Sequence, residues 1–351
     1  MSGEELNLMT SSAGWNALFG LGEGASAFIA APVAFVAFFL FVLFPLYFAL
    51  GFAERKLAAD LQARVGPNRT PGGGLFQVVA DTLKLGAKSA VRGHASLDPK
   101  WFGIQNAILF SSFVFVPFGS TLILLDSEMG AFLPFVCMAG VFLCSLFATE
   151  GAAELENEIL AHRQSFLWIS AWVPALLGAT VAVARAGSAR WSTLLTSQAH
   201  GLFHWTAFSS PFGFVAFFVF LLSGLVALQL PPFHSLDRGV RNRAGVRLGL
   251  FGLNQFYATL VWCLLASALF LGGQSIPEAG DVSFFFAFYQ LVTALAKAAV
   301  LFLALRVVAR ALPQLRQDQM TEFCWRVLTP VAALCLVGEL VWIRLFSGGA
   351  G

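Results

Sequence analysis

Eight long apolar runs dominate this sequence. They lie near residues 29–52, 101–125, 131–149, 165–184, 210–231, 247–272, 283–306 and 326–347. Each approaches the roughly 20 residues that a helix needs to cross the hydrocarbon of a bilayer. Lipid offers no partner to a bare N–H or C=O, so each run must satisfy its own backbone and is read as an α-helix. Composition points the same way. Of 351 residues, 58% are hydrophobic and 11% charged, where a soluble domain carries about 25% charged. Such a chain cannot cover a water-facing surface with polar groups, and no nucleic-acid partner is expected. The expected fold is an all-α integral membrane protein, a single membrane domain over 1–351. It has about eight transmembrane helices plus interfacial amphipathic helices.

Charge placement orients the spans. The odd-numbered connections hold 17 of the 21 Lys and Arg residues, from Arg55 to Arg326. The even side holds Arg185, Arg190 and Arg344, and Lys297 lies inside the seventh run. Basic residues stay on the cytoplasmic side, so the odd loops are expected there and both termini outside. The acidic start, MSGEELNLMTSSAGW, lacks the basic region of a cleavable signal.

Two connections carry more than a turn. Residues 75–88 place apolar positions at helical spacing, which predicts a helix lying in the interface. Residues 188–209 contain two Trp and two His, which predicts a short amphipathic helix at the aromatic belt. The five Cys, at 137, 144, 263, 324 and 335, form no CxxC pair and read as small buried hydrophobes rather than metal ligands.

The segment 54–88 reads ERKLAADLQARVGPNRTPGGGLFQVVADTLKLGAK. It resembles the first cytoplasmic loop of the quinone-site membrane subunit of respiratory complex I, lettered H in bacteria and numbered 1 in mitochondria. The match runs in order through Glu54, Arg55, Lys56, Gln62, Arg64, Gly66, Pro67, Asn68, Arg69, Gln77, Ala80, Asp81 and Lys84. Arg310, Pro313, Arg316, Asp318, Gln319 and Trp325 match a second block before the last span, and 245–273 resembles the family's sixth span. The likeness is weak over 127–230.

The resemblance implies a subunit of a proton-translocating NADH:quinone oxidoreductase in a bacterial inner (plasma) membrane, with the mitochondrial inner membrane as the alternative. It implies that this chain binds no cofactor. NADH, FMN and the iron–sulfur clusters then belong to partner subunits, and quinone is the substrate. The expected partners are the quinone-site peripheral subunits, the small membrane-arm subunits and the bilayer. Phe52, Glu54, Arg55, Arg64, Phe76, Asp81, Lys84, Phe233 and His234 are the implied quinone-tunnel or arm-interface residues. Arg55, Lys56 and Lys88 also suit anchoring to anionic lipid. Gly66, Pro67, Asn68 and Arg69, with Arg316, Asp318 and Gln319, are expected to shape the loops.

The sequence departs from the family between spans five and six. There the family pattern is acidic, but residues 232–247 read PFHSLDRGVRNRAGVR. His234 stands in place of an Asp, Asp237 can stand for the first Glu, and Gln255 aligns with a family Glu in the sixth span. Neither Arg nor Gln releases a proton in a protein, so the coupling route is expected to be altered. His234 either titrates or serves the helix end. Glu150, Glu154 and Glu158, at i, i+4 spacing, share one helix face. They either replace the missing acids or cap a solvated loop. Lys297, buried by its position, either joins a polar axis or snorkels. Together with Asp237 and Gln255, these residues form the candidate proton path. The alternatives to the quinone-linked subunit are the homologous subunit of hydrogenases or formate-linked complexes, and a structural anchor whose coupling is lost. A carrier lacks the paired broken spans it needs.

The orientation is directly testable. Single cysteines introduced at residue 3 and residue 70 should react with an impermeant maleimide from opposite sides, the one in intact cells and the other in inverted vesicles. Residue 3 should be the one reached from outside, and labelling of both from one side would refute the topology.

Overall fold

The computed structural model of the chain describes residues 36–88, 99–150, 155–199, 201–230, 245–272, 284–313 and 315–346. Regular structure among them is helical throughout. In chain order the helices are α1 Val36–Leu61, α2 Gln77–Ala87, α3 Pro99–Phe115, α4 Leu133–Glu150 and α5 Leu155–Ala186. Then follow α6 Trp191–Ser197, α7 Pro211–Ala227, α8 Val246–Phe270, α9 Phe284–Ala311 and α10 Gln317–Phe346.

Eight of these fall on the eight apolar runs, and α2 and α6 fill the two long connections. Helices α1, α4, α5, α8, α9 and α10 are long and apolar enough to cross a membrane. The other two, α3 and α7, have 17 residues each, about 26 Å at the helical rise. The protein is therefore a multi-pass membrane protein. Its helices pack α3 against α4 and α8, α5 against α7 and α10, and α9 against α1 and α8.

Some boundaries differ from those expected of the apolar runs, for physical reasons. The first helix continues to Leu61, because ERKLAADL is a strong helix-forming stretch. Glu54 and Arg55 therefore stand on rigid helix rather than in a loop. The second run stops at Phe115. Pro117 has no N–H and disfavours helix at the residue before it. Yet the following chain stays inside the protein, with Val116, Phe118, Leu122 and Ile123 buried. Its polar groups need partners there, and Gln290 of α9 supplies them. The Gln290 carbonyl accepts from Thr121 N at 3.3 Å and Thr121 Oγ1 at 2.6 Å, while its amide donates to Ser120 at 2.8 Å.

The amphipathic helix expected within 188–209 is α6, but its Trp is not at a surface belt. Trp191 is fully buried and its indole donates to the Phe115 carbonyl at 2.9 Å.

Lipid tails are as apolar as Leu, so helices in a bilayer associate through close packing and internal polar contacts rather than hydrophobic exclusion. Both devices are present. The Trp262 indole of α8 lies in the notch left by Gly224 of α7, where any Cβ would overlap it. The ring stacks on Phe220 at 4.7 Å and donates to that residue's carbonyl at 3.3 Å. On the side of the bundle opposite α2, Glu339 of α10 is wholly buried. It accepts from Arg185 of α5 at 2.8 Å and from Ser210 Oγ at the start of α7. Glu339 belongs to no motif, although a carboxylate inside an apolar run is itself a signal that a partner exists.

Removing one partner of a buried ion pair costs roughly 3–5 kcal/mol. Glu339→Ala should therefore lower the thermal stability of the detergent-solubilised protein far more than Ser210→Ala does. Equal, small losses from both would show that the pair contributes little.

Candidate functional site

The polar segment after α1 folds back on the helix that precedes it. Three successive glycines make the turn, Gly72, Gly73 and Gly74, with φ of +73°, +66° and +100°. Those angles are strained for a side-chain-bearing residue. Gly74 also rests against the Pro67 carbonyl, where a Cβ has no room. Gly66 sits over Lys56 and Ala59 of α1. Gly66 thus packs on α1, and Pro67 on Gly74.

The fold-back brings α2 beside α1. Arg55 Nη1 meets Asp81 Oδ2 at 2.5 Å, and Gln77 donates to the other carboxylate oxygen at 3.0 Å. Both ion-pair partners are about two-fifths exposed, so this pair positions the helix more than it stabilises it.

Next to Arg55 in the chain, Glu54 faces the end of α9. Its Oε1 lies 3.3 Å from Arg306 Nη1 and 3.6 Å from Arg310 Nη2. The Glu54 and Arg306 side chains are only 16% and 11% exposed, so this pair is shielded from water and each charge depends on the other. Arg306 also lies over the Phe302 ring at 5.0 Å and donates to Thr259 of α8 at 3.4 Å. The site is thus an ionic cluster linking α1, α2, α8 and α9. Lys56 is set over the Phe52 ring at 5.8 Å, and Phe76 lies exposed beside the glycine turn. The cluster combines fixed cationic donors with aromatic surface at the membrane boundary.

Other expected site residues have different surroundings. Arg64 is exposed and donates locally to Gln62 at 2.7 Å. Lys84, Asn68 and Arg69 are not held by any of these ion pairs. Arg316, Asp318 and Gln319 build the start of α10: the Gln319 side chain accepts from the Arg316 amide at 3.1 Å, and Asp318 lies in the first turn, where an acid suits the helix dipole.

Gln255 donates to the carbonyls of Leu228 and Gln229 at 3.1 and 3.3 Å, closing the end of α7. Lys297 donates to the carbonyls of Leu271 and Gly272 at 3.0 and 2.9 Å, closing the end of α8, and lies 4.3 Å from the centre of the Trp205 ring. These contacts give both residues a helix-capping role. Phe233, His234, Asp237 and Glu154 lie outside the described residues. So do the side chains of Glu150 and Glu158, although their backbones lie in α4 and α5. The five cysteines are all free thiols. No cluster of three or more potential metal ligands occurs among the described residues.

Nothing in the sequence pairs Glu54 with Arg306 and Arg310. The signal is faint: an acid closing the first span, and two Arg at i, i+4 closing the seventh. The length of chain between them gives no reason to join them.

Residues 33–339 match the family described as NADH dehydrogenase. The chain belongs to that family. The match takes in the whole ionic cluster. One relative is the H subunit of the NADH-quinone oxidoreductase of Anaeromyxobacter dehalogenans, 29% identical over 82% of this chain and 76% of its own length. Another is the H subunit of the F420H2 dehydrogenase of Methanosarcina mazei, 29% identical over 84% of this chain and 88% of its own. The H subunit of the Chlorobaculum tepidum NADH-quinone oxidoreductase is 27% identical over 95% and 94%. The resemblance seen in the first loop thus extends over most of the chain.

The turn can be tested by itself. Gly74→Ala adds a strained φ and a backbone clash, a cost of more than about 1 kcal/mol. Limited trypsin digestion should then cut at Arg64 or Arg69 several-fold faster than in the wild type. An unchanged rate would mean that the turn does not hold the loop down.

Proposed function

We propose that this chain is the membrane subunit of a complex I-type dehydrogenase. In this reading the charged end of α1, the first loop and α2 form the entrance through which quinone reaches a redox centre held by a soluble partner. The observation that carries the proposal is the ionic cluster of Glu54, Arg306 and Arg310 with Arg55 and Asp81. It holds guanidinium groups at the ends of α1 and α9, with Arg306 over the Phe302 ring and the exposed Phe76 just before α2. A quinone asks for this combination: donors for its carbonyl oxygens and an apolar surface for its tail. No titratable chemistry is needed from this chain for the electron transfer itself. NADH, FMN and iron–sulfur clusters belong to partner subunits in this reading, and the names of the relatives support electron input from either NADH or reduced F420. In this reading the loops lie on the cytoplasmic side of a bacterial plasma membrane.

Proton coupling is proposed to be altered. Gln255 supports this reading. Its amide is committed to two backbone carbonyls, a contact that a carboxylate, having no N–H, cannot make. The family's Glu at this position therefore has no equivalent here in chemistry or in hydrogen bonding. A proton-to-electron ratio in inverted vesicles below that of a standard complex is the expected result, and an equal ratio rejects it.

Asp81→Asn and Glu54→Gln should lower quinone reductase activity of the assembled complex at least about tenfold, the effect of roughly 1.4 kcal/mol on a barrier. Electron transfer from the donor to a soluble acceptor should persist. Loss of both activities would mean that the cluster serves assembly. Unchanged activity in both variants would remove the entrance from this part of the chain.

A further inference from the structure

The flank of the bundle carries a groove where α5 enters the apolar layer and α10 begins. Arg163 and Phe166 of α5 form one wall, and Asp318, Glu322 and Trp325 of α10 form the other. The space between them is about 430 Å³, within the range of small-molecule sites. None of these residues belongs to the ionic cluster around Glu54.

The groove lies at the edge of the hydrocarbon. Phe166 stands at the start of the apolar run 165–184, and Trp325 immediately before the run 326–347. Both rings are open to the surroundings, Phe166 at 71% and Trp325 at 48% exposure. The Trp325 indole donates to Ser170 Oγ of α5 at 3.0 Å, which fixes the ring across the join between the helices. Trp325 sits in a widened π-turn, Cys324–Leu328. Met320, Cys324, Leu328 and Ala332 are buried at intervals of four, a spacing that drifts round an α-helix of 3.6 residues per turn. The extra residue of the π-turn absorbs the drift, and the first turns of α10 stay packed against α5.

The charges on the two walls are of opposite sign. Arg163 and Asp318 are exposed, and neither has an ion-pair partner among the described residues. Glu322 is held by Arg326 at 2.5 Å and lies one helical turn from Asp318, on the same face. A net anion in the groove would meet two carboxylates, and a simple cation would meet the guanidinium. A headgroup that carries both a phosphate and an ammonium satisfies both walls.

We propose that this groove binds a zwitterionic phospholipid of the phosphatidylethanolamine type. Arg163 takes the phosphate, to which a guanidinium can donate through two N–H groups at once. The primary ammonium donates to Asp318 and Glu322. A quaternary choline headgroup has no N–H to give these carboxylates, so the groove selects the primary amine. The glycerol and the first acyl carbons lie on the Phe166 and Trp325 rings, in keeping with the place of Trp at membrane boundaries. Ile169, 52% exposed and one turn further along α5, continues the apolar track into the bilayer.

The test uses the assembled complex reconstituted into liposomes with a trace of photoreactive lipid. Three probes share one acyl-chain diazirine and differ in headgroup: phosphatidylethanolamine, phosphatidylcholine and phosphatidylglycerol. After photolysis, peptides around Phe166 and Trp325 should carry about fivefold more of the ethanolamine probe than of either other, the upper end for a water-exposed charge pair. Arg163→Gln should lower that labelling by a similar factor. Asp318→Asn combined with Glu322→Gln should remove the preference for ethanolamine over choline. Labelling around the exposed Val136 and Leu143 of α4 should stay constant, which reports that the variants are intact. Equal labelling by all three probes in the wild type would mark ordinary boundary lipid and overturn the proposal. An ethanolamine preference undiminished in both variants would overturn it too. So would a benzoyl-phenylalanine at position 166 that crosslinks in native membranes to a partner subunit instead of lipid, since the groove would then be a protein interface.

Discussion

A charge inside a membrane bundle must find its partner within the protein, and much of this architecture follows from that requirement. An ionised side chain in hydrocarbon is costly by several kcal/mol, so each buried charge acts as a fastener between helices. Glu54 of α1 binds two guanidinium groups of α9. Glu339 of α10 binds Arg185 of α5 and Ser210 before α7. Lys297 of α9 is held by two carbonyls at the end of α8. These contacts lie toward opposite ends of the bundle and set the register of α1, α5, α8, α9 and α10 along the membrane normal. Breaking such a pair costs more than forming it gains, so the pairs disfavour every packing that would leave one of these charges alone.

Neutral amides have the same role where the backbone leaves helical form. Gln290 holds the irregular segment after α3, and Gln255 closes α7. Gln198 bridges α6 to the end of α8, donating to the Ala268 and Leu269 carbonyls and accepting from Gly272 N at 2.8 Å. Gln290 and Gln198 each donate and accept, which suits an interrupted helix with orphaned groups of both kinds.

The ionic cluster lies at the edge of the hydrocarbon, where a rigid α1, a tight glycine turn and the short α2 meet. Its two parts have different physics. Glu54 with Arg306 is shielded, so its geometry is fixed by mutual need. Arg55 with Asp81 is open to water, so its geometry comes from the turn that delivers α2.

Length and periodicity by themselves determined the membrane class, the eight apolar helices and the two short ones between them, because lipid permits only self-satisfied backbone across its core. Residue order also carried the family, through the motif from Glu54 to Lys84. Pairing lay beyond it. Gln255, Lys297 and Glu339 are polar residues in apolar runs, and hydropathy says only that each needs a partner. Which carbonyl, guanidinium or hydroxyl answers that need depends on which helices lie side by side and at what height. Trp191, at home in a surface belt by composition, is buried for the same reason. Those neighbours are set by the fit of rings such as Trp262 into notches such as Gly224. That fit exists only once residues distant in the chain are brought together, and so only the tertiary structure decided it.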